Sequence, residues 1–327
     1  MIDSLDPRIS IVLCTYNGEK YLREQIDSIL EQTVVPHELI IYDDDSVDNT
    51  REILRSVVTR KGCKVRIFFN EVNVGFTKNF EKAVATASGD IIFFSDQDDL
   101  WLSNKIFHMI GLFKEHPYIY GITHDGLLVD SELRWNGATK SSQIERGYGT
   151  KVNEITGALS AIRRRILQLY LPIPHGIIGH DKWLTYIFSL FPGRWLQSQM
   201  CLQLIRRHST NTSEWVVNSA KPINRFDVLI AEISTTAATV YHDRRLMNET
   251  IRTRLKDNLL VDGIFTVQEI AAAFDFLSNE LIAINGREAL VQEKSLWRRC
   301  RGSLEFWFSG GYNYFNGMRS LARDLLR

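Results

Sequence analysis

The stretch GDIIFFSDQDDLW, from Gly89 to Trp101, joins an unbroken apolar run to a cluster of carboxylates. The four apolar residues 91–94 are typical of a strand buried on both faces of a parallel sheet. Asp96, Asp98 and Asp99 follow at once, and such crowding raises the electrostatic free energy unless a cation or hydrogen bonds compensate it. Ligands of open α/β sheets bind beyond the carboxyl ends of the strands. The stretch alone therefore predicts either a divalent metal site or an acidic turn before the next helix.

The preceding segments repeat the same order of strand and helix. The predicted strands are 9–14, 39–42, 65–69 and 91–94, and the predicted helices are 19–31, 48–58, 76–87 and 101–113. Four such alternations indicate a doubly wound α/β fold with a mostly parallel sheet and right-handed crossovers. The second strand also ends in carboxylates, at Asp43, Asp44 and Asp45. Carboxylate oxygens favour Mg²⁺ or Mn²⁺ over zinc.

The pattern is less regular after residue 117. We predict one or two strands at 119–129, a polar mobile loop at 131–148, a strand at 157–162, a helix at 183–191 and a strand at 200–205. Residues from about 221 onwards are predicted to be mostly helical, with helices at 226–247, 251–260 and 267–284.

Composition excludes several classes of protein. The chain of 327 residues has 44% hydrophobic residues and a formal net charge of zero, so no general attraction to nucleic acid is expected. Four scattered cysteines without a CxxC pair favour reduced thiols in the cytoplasm. The first residues do not resemble a signal peptide, and no apolar run approaches the ~18 residues of a membrane span.

Three common motifs are absent from the sequence: GxGxxG after the first strand, GxxxxGK[ST] and GxSxG. Their absence argues against a dinucleotide site, a P-loop and an α/β-hydrolase. A sheet that has acidic clusters but lacks a glycine-rich phosphate loop can still hold a diphosphate through a metal that carboxylates anchor.

Six segments match one known family in order. They are ISIVLCTYNGEKYL (9–22), ELIIYDDDSVDNT (38–50), NVGFTKNF (73–80), GDIIFFSDQDDLW (89–101), GHDKW (179–183) and RRHSTNTS (206–213). Over residues 8–215 the chain resembles family-two glycosyltransferases with the GT-A fold, and most closely the bacterial rhamnosyltransferases of surface polysaccharide assembly. The resemblance implies a catalytic domain at 1–215, with a nucleotide-binding half (1–115) and an acceptor half (116–215). A helical extension at 216–327 would follow.

The resemblance also implies roles for individual residues. Asp98 and His208 would ligate Mg²⁺ or Mn²⁺, Asp96 would hold the ribose or a metal-bound water, and Asp99 would orient the donor sugar. Asp44, with Asp43 nearby, would accept a hydrogen bond from a pyrimidine N–H. The full set predicted to bind the nucleotide sugar is Thr15, Tyr16, Asn17, Asp43, Asp44, Asn73, Gly75, Lys78, Asp96, Gln97 and Asp99. Two positions depart from the family pattern: Asp45 replaces a common glycine, and His208 is not followed by one.

Asp181 is the predicted catalytic base of an inverting transfer, and His180 and Trp183 are predicted to contact the acceptor. The alternative is that Asp181 caps a helix and Trp183 lies in the core. The expected donor is dTDP-L-rhamnose or a UDP-hexose, and the expected acceptor is a glycan or lipid-linked glycan. Competing hypotheses are a nucleotidyltransferase, which would need a basic glycine-rich loop after the first strand, and a non-catalytic sugar-nucleotide-binding subunit.

The tail, residues 285–327, combines eight basic residues with four acidic ones and seven aromatic ones. This mixture predicts an interfacial helix on an anionic membrane, which would place the protein on the inner face of the cytoplasmic membrane. The alternative is a helical pair that packs on the catalytic domain or forms a dimer.

Overall fold

The computed structural model describes residues 6–58, 62–148, 155–208, 237–257, 263–315 and 317–326. The chain divides into two compact units, Met1–Arg225 and Phe226–Arg327. Among the helices of the described ranges, none combines the length and the apolar character that crossing a bilayer requires.

The first unit is built on a nine-stranded mixed sheet. Its strands are β1 (Ile9–Thr15), β2 (Glu38–Asp43), β3 (Lys64–Phe69), β4 (Ile91–Ser95), β5 (Leu100–Trp101), β6 (Gly121–Val129), β7 (Trp135–Thr139), β8 (Ser160–Arg163) and β9 (Trp195–Arg206). The order is β3-β2-β1-β4-β8-β6-β9-β5, with β7 beside β6. Strands β1 to β4 are parallel to one another, and β8 is antiparallel to both β4 and β6.

Helices flank this sheet. They are α1 (Leu22–Leu30), α2 (Thr50–Arg55), α3 (Phe76–Thr86), α4 (Lys105–Glu115), α5 (Lys140–Tyr148), α6 (Leu167–Tyr170) and α7 (His180–Ser189). The consecutive residues Ile11, Val12 and Leu13 are all fully buried, so both faces of β1 are covered. The four predicted alternations of strand and helix are therefore confirmed, as is the mixed α/β class with a mostly parallel sheet.

Two predictions in this unit are wrong. Trp101 does not begin a helix but lies in β5, because Leu100 and Trp101 pair with Leu204 and Gln203 of β9. The segment 131–148 is not a loop but contains β7 and α5. Polar residues of this segment hydrogen-bond to one another. The backbone N–H of Ser142 donates to Oγ1 of Thr139, and the Ser142 hydroxyl donates to the Thr139 carbonyl.

The second unit contains four described helices, α8 (Ala237–Asp257), α9 (Val267–Gln292), α10 (Leu296–Phe308) and α11 (Met318–Leu326). The predicted break between residues 247 and 251 is wrong, since α8 passes through it. Asn248, which lies between the two predicted helices, is fully buried and donates to the Leu277 carbonyl and to Glu280 of α9. Predicted helical residues 226–236 and 258–260 lie outside the described ranges.

Glu38, at the start of β2, is a buried carboxylate in the first unit. Its oxygens accept hydrogen bonds from the Ser10 hydroxyl, the Ser88 backbone N–H and Arg66, at 2.6, 2.7 and 3.1 Å. Burial acts to raise the pKa of Glu38, but these hydrogen bonds outweigh it and lower the pKa from 4.5 to about 2.

Replacing Glu38 by glutamine is expected to lower the free energy of unfolding by about 2 kcal/mol at pH 7. Because the folded-state pKa is depressed, the carboxylate's contribution is present above the unfolded pKa and is lost as the pH falls towards 2. Urea denaturation between pH 7 and pH 3 measures this. The exposed Glu115, changed to glutamine, is the control and should shift stability by less than about 0.5 kcal/mol. A Glu38→Gln deficit that does not shrink at acid pH would contradict the account.

Candidate active site

Three parallel strands end side by side at one edge of the sheet. Thr15 of β1 is in register with Asp43 of β2, and Leu13 of β1 is in register with Ser95 of β4. The residues that follow these strands therefore converge at the carboxyl edge, where ligands of α/β sheets bind.

The acidic cluster lies at this edge and consists of Asp96, Asp98 and Asp99. Each carboxylate offers an oxygen, and these oxygens lie within 4.8 Å of one another. Burial, followed by the charge of Asp98, raises the pKa of Asp99 to about 7. Burial and the charges of Asp99, Asp98 and Asp181, in that order, raise the pKa of Asp96 well above its usual value. The cluster is thus short of positive charge, and a divalent cation would supply it.

His208 joins the acidic cluster from a distant part of the sequence. Strand β9 ends at Arg206, and the Nε2 atom of His208 lies 2.9 Å from Oδ2 of Asp98. The His208 ring packs on Tyr21, with their centroids 4.8 Å apart. The three carboxylates are hard oxygen donors that suit Mg²⁺ or Mn²⁺, and the His208 imidazole adds a borderline nitrogen donor beside them. The two residues predicted to ligate a metal therefore lie together.

The loop after β1 is held to the acidic loop by Gln97. Its side chain donates to the Tyr16 carbonyl at 3.0 Å and accepts from the Tyr16 N–H at 2.9 Å. A Cβ atom added to Gly18 would clash with Oε1 of Gln97, so this pairing requires glycine there. Asn17 has a left-handed backbone (φ 48°), and its Oδ1 accepts from the Val47 N–H at 2.9 Å.

Asp43 is fully buried and organises the turn after β2. Its carboxylate accepts from Oγ1 of Thr15 and from Nε of Arg51, both at 2.9 Å, and from the backbone N–H of Ser46. Asp45, at the position where the resemblance implies a glycine, has φ 63° and pairs with Arg51 at 3.0 Å. The turn thus keeps the left-handed backbone that glycine usually provides.

Asp44 is also buried, and it organises the segment before α3. Its Oδ1 accepts from Asn70 and from the Val74 N–H, and its Oδ2 accepts from the Gly75 N–H, all at 2.8 Å. The Asn73 side chain donates to the Asp44 carbonyl at 3.1 Å. A hydrogen bond from a pyrimidine would have to use a remaining lone pair of this carboxylate, and that role stays a prediction.

Lys78 is half exposed on α3 and forms an ion pair with Glu81. Glu81 in turn accepts a hydrogen bond from the backbone N–H of Ile173 at 2.9 Å. The predicted contact of Lys78 with the donor diphosphate stays a prediction, and it would require Lys78 to exchange this partner.

Asp181 lies in the first turn of α7. Gly179, with φ 104°, precedes this helix, and its N–H donates to Oγ1 of Thr77 in α3 at 2.9 Å. Oδ1 of Asp181 accepts from the backbone N–H of Lys182 at 2.8 Å. Since the charge of Asp181 raises the pKa of Asp96, the two carboxylates belong to one electrostatic environment.

His180 and Trp183, which were predicted to contact the acceptor, both lie in the core, and that contact stays a prediction. Trp183 is fully buried and its indole N–H donates to the Tyr170 carbonyl at 2.8 Å. His180 is 4% exposed and stacks on Phe80, with ring centroids 3.9 Å apart. Positions 180, 183, 184 and 187 form the inward face of α7, which leaves Asp181 beside them on a different face.

Comparison with known proteins identifies the family. The profile described as "Glycosyl transferase family 2" matches residues 10–171. "Putative glycosyltransferase EpsE" of Bacillus subtilis is 30% identical over 273 residues, which cover 74% of this chain and 96% of that protein. The chain belongs to glycosyl transferase family 2. Asp181 and His208 lie outside the matched profile, so their roles depend on geometry and on the motif resemblance.

Two other family relatives are matched over about half their length. An "Uncharacterized glycosyltransferase alr2836" of Nostoc sp. is 27% identical over 58% of this chain and 55% of its own. The Escherichia coli "UDP-Glc:alpha-D-GlcNAc-diphosphoundecaprenol beta-1,3-glucosyltransferase WfgD" is 34% identical over 36% of this chain and 46% of its own.

Solved structures share the fold of this glycosyltransferase. Staphylococcus aureus TarS 1-349 in complex with UDP-GlcNAc has a TM-score of 0.54 and 16% identity, covering 97% of this chain and 90% of that one. The mannosyltransferase PcManGT of Pyrobaculum calidifontis, in complex with GDP-Man and Mn²⁺, has a TM-score of 0.51 and 14% identity, covering 100% and 88%. At these identities the likeness establishes the fold alone.

Sequence reasoning missed the residues that hold Asp99 in this glycosyltransferase. Asp99 accepts from the Gln203 side chain and from the Arg206 N–H, the latter at 3.1 Å. The buried Lys105 donates to Oε1 of Gln203 at 2.7 Å and to the Ala158 carbonyl at 3.1 Å. Lys105 lies on the buried face of α4, at helical spacing from Met109 and Phe113.

Proposed function

We propose that this protein is an inverting, metal-dependent glycosyltransferase that adds a sugar from a nucleotide donor to a hydroxyl of a growing bacterial surface glycan. The observation that carries the proposal is the meeting of Asp98 and His208 within the acidic cluster, 110 residues apart in the chain. The charge of Asp181 acts on the same cluster. A non-catalytic binding subunit would not need this full set of acidic groups.

Each residue of the site has its own role in the proposed transfer. Asp98 and His208 would hold a divalent cation next to the donor diphosphate, while Asp96 would hold the ribose or a metal-bound water and Asp99 would orient the donor sugar. Once bound, the cation would offset the negative charge that develops on the departing diphosphate. Asp181 would accept the proton of the acceptor hydroxyl as its oxygen bonds to the anomeric carbon and the bond to the diphosphate breaks. Attack from the face opposite the leaving group inverts the anomeric configuration.

The donor that we propose is dTDP-L-rhamnose, and this choice depends on the resemblance of the SDQDDLW, GHDKW and RRHSTNTS segments to rhamnosyltransferases. A UDP-hexose is the second candidate, favoured by the UDP-Glc that the name of WfgD gives as its donor and by the UDP-GlcNAc complex of TarS. The name of WfgD also supports a lipid-linked acceptor for this chain.

A thermal-shift screen of nucleotide sugars tests the donor. Purified protein with Mn²⁺ or Mg²⁺ is melted with dTDP-L-rhamnose, UDP-glucose, UDP-GlcNAc and GDP-mannose. A donor at 100 times its dissociation constant stabilises the folded state by about 2.7 kcal/mol, so a rise of several degrees is expected for dTDP-L-rhamnose. A larger rise in melting temperature with a UDP-hexose would make that sugar nucleotide the proposed donor in place of dTDP-L-rhamnose. If no nucleotide sugar raises the melting temperature with either metal, the proposed function is wrong.

A further inference from the structure

Helix α10 exposes a row of large apolar side chains. Trp297, Leu304 and Phe308 are 70%, 46% and 84% exposed, and Leu296 is 59% exposed. Positions 297, 304 and 308 are separated by seven and four residues, which places them on one side of an α-helix. Exposed aromatic residues in such a row are uncommon on a surface that faces only water.

The opposite side of α10 is firmly packed within its own unit. Ser303 is fully buried, and a Cβ atom added to Gly302 would lie 2.5 Å from the Leu290 side chain of α9. Phe306 contacts Tyr312 edge to face, with centroids 4.8 Å apart. The exposed row therefore belongs to a helix whose orientation is fixed by α9 and by the turn Gly311–Tyr314.

Basic side chains border the exposed row. Arg298 and Arg301 are exposed beside the row and the helix has a single acid, Glu305, whereas Arg299 lies half-buried on the packed side with its Nε buried. Arg301 lies over the Trp297 ring, 5.7 Å from its centroid, and pairs with Glu305 at 2.8 Å. Long arginine side chains can lay their methylene groups along an apolar surface while keeping the charge at its edge.

We propose that α10 is a docking helix that lies in the surface of an anionic membrane. Tryptophan and phenylalanine would enter the boundary between headgroups and acyl chains, and the arginines would meet lipid phosphates, each contributing about 1 kcal/mol. A helix of 13 residues is ~20 Å long, so it can lie in the interface but cannot span it. Arginines beside an apolar row are complementary to anionic headgroups above acyl chains, which favours an anionic lipid surface as the occupant.

Sedimentation with vesicles tests the docking helix. Full-length protein is mixed with vesicles of phosphatidylcholine alone or of phosphatidylcholine with phosphatidylglycerol. Wild-type protein is expected to sediment with the anionic vesicles, and the double variant Trp297→Ser/Phe308→Ser should bind at least about tenfold more weakly. Arg298→Gln/Arg301→Gln should weaken binding to anionic vesicles and reduce its dependence on salt.

The matched control is Val267→Ser/Ile282→Ser, which removes two apolar residues of α9 that are 80% and 69% exposed. It should bind like the wild type. Equal sedimentation of the wild type with and without vesicles would overturn the proposal. Equal vesicle binding by Trp297→Ser/Phe308→Ser and by the control variant would also overturn it. Analytical ultracentrifugation without lipid supplies a further check, since a wild-type dimer that Trp297→Ser/Phe308→Ser converts to a monomer would make this face a protein interface instead. Circular dichroism confirms that each variant is folded.

Discussion

Replacing Asp181 by asparagine is expected to lower the rate of sugar transfer about 10³-fold while donor binding stays close to that of the wild type. The amide oxygen of asparagine can still accept the hydrogen bond that Oδ1 of Asp181 receives from the Lys182 N–H. What is lost is the ability to take a proton from the acceptor hydroxyl. The loss should therefore fall on kcat, because the substitution changes chemistry more than shape.

The measurement is a steady-state assay of sugar transfer, with the dissociation constant of the donor determined separately. The exposed Asp275 of α9, changed to asparagine, is the control and should leave both quantities unchanged. Transfer by Asp181→Asn within threefold of the wild type would mean that another group removes the proton.

Replacing Asp98 by asparagine is expected to lower transfer at least about 10²-fold and to weaken activation by Mn²⁺. The same change should leave the metal-free protein as stable as the wild type, or more stable by about 1 kcal/mol. The charge of Asp98 raises the pKa of both Asp96 and Asp99, so removing it relieves repulsion in the folded state. The amide can still bond to His208, which preserves that contact.

Urea denaturation in the presence of a chelator measures the stability of this variant, and transfer at increasing Mn²⁺ measures its activation. A variant that is active at the wild-type level would remove Asp98 from the proposed metal site. A variant that is inactive because it unfolds without metal would show instead that Asp98 has a structural role.

The sequence predicted the first half of the fold because β1, β2 and β4 are buried on both faces. An apolar run such as Ile91–Phe94 is typical of a strand that is covered on both faces. The alternation of four predicted strands with helices indicates a parallel sheet. The same logic predicted that the carboxylates after β2 and β4 would share an edge. It could not predict β5 and β7, because short pairings of this kind depend on a partner strand far away in the chain.

The contacts within the site were predicted less completely than the fold, because they join segments that are far apart in the chain. The contact between Asp98 and His208 came from the resemblance of two segments to a family pattern, since no local spacing connects them. The burial of His180 was not predicted, because a motif identifies a helix turn without saying which face points inwards. The support of Asp99 by Gln203 and Lys105 joins β9 to α4, and no short-range pattern encodes that contact.

Isothermal titration calorimetry of a nucleoside diphosphate, with and without Mn²⁺, tests most directly whether the acidic cluster holds a cation that binds the donor. For the wild type, we predict that Mn²⁺ strengthens the binding of dTDP or UDP at least about tenfold, a gain of about 1.4 kcal/mol. For Asp98→Asn, Mn²⁺ should have little effect. Equal affinity of the wild type with Mn²⁺ and with a chelator would contradict the metal site, and with it the proposed mechanism.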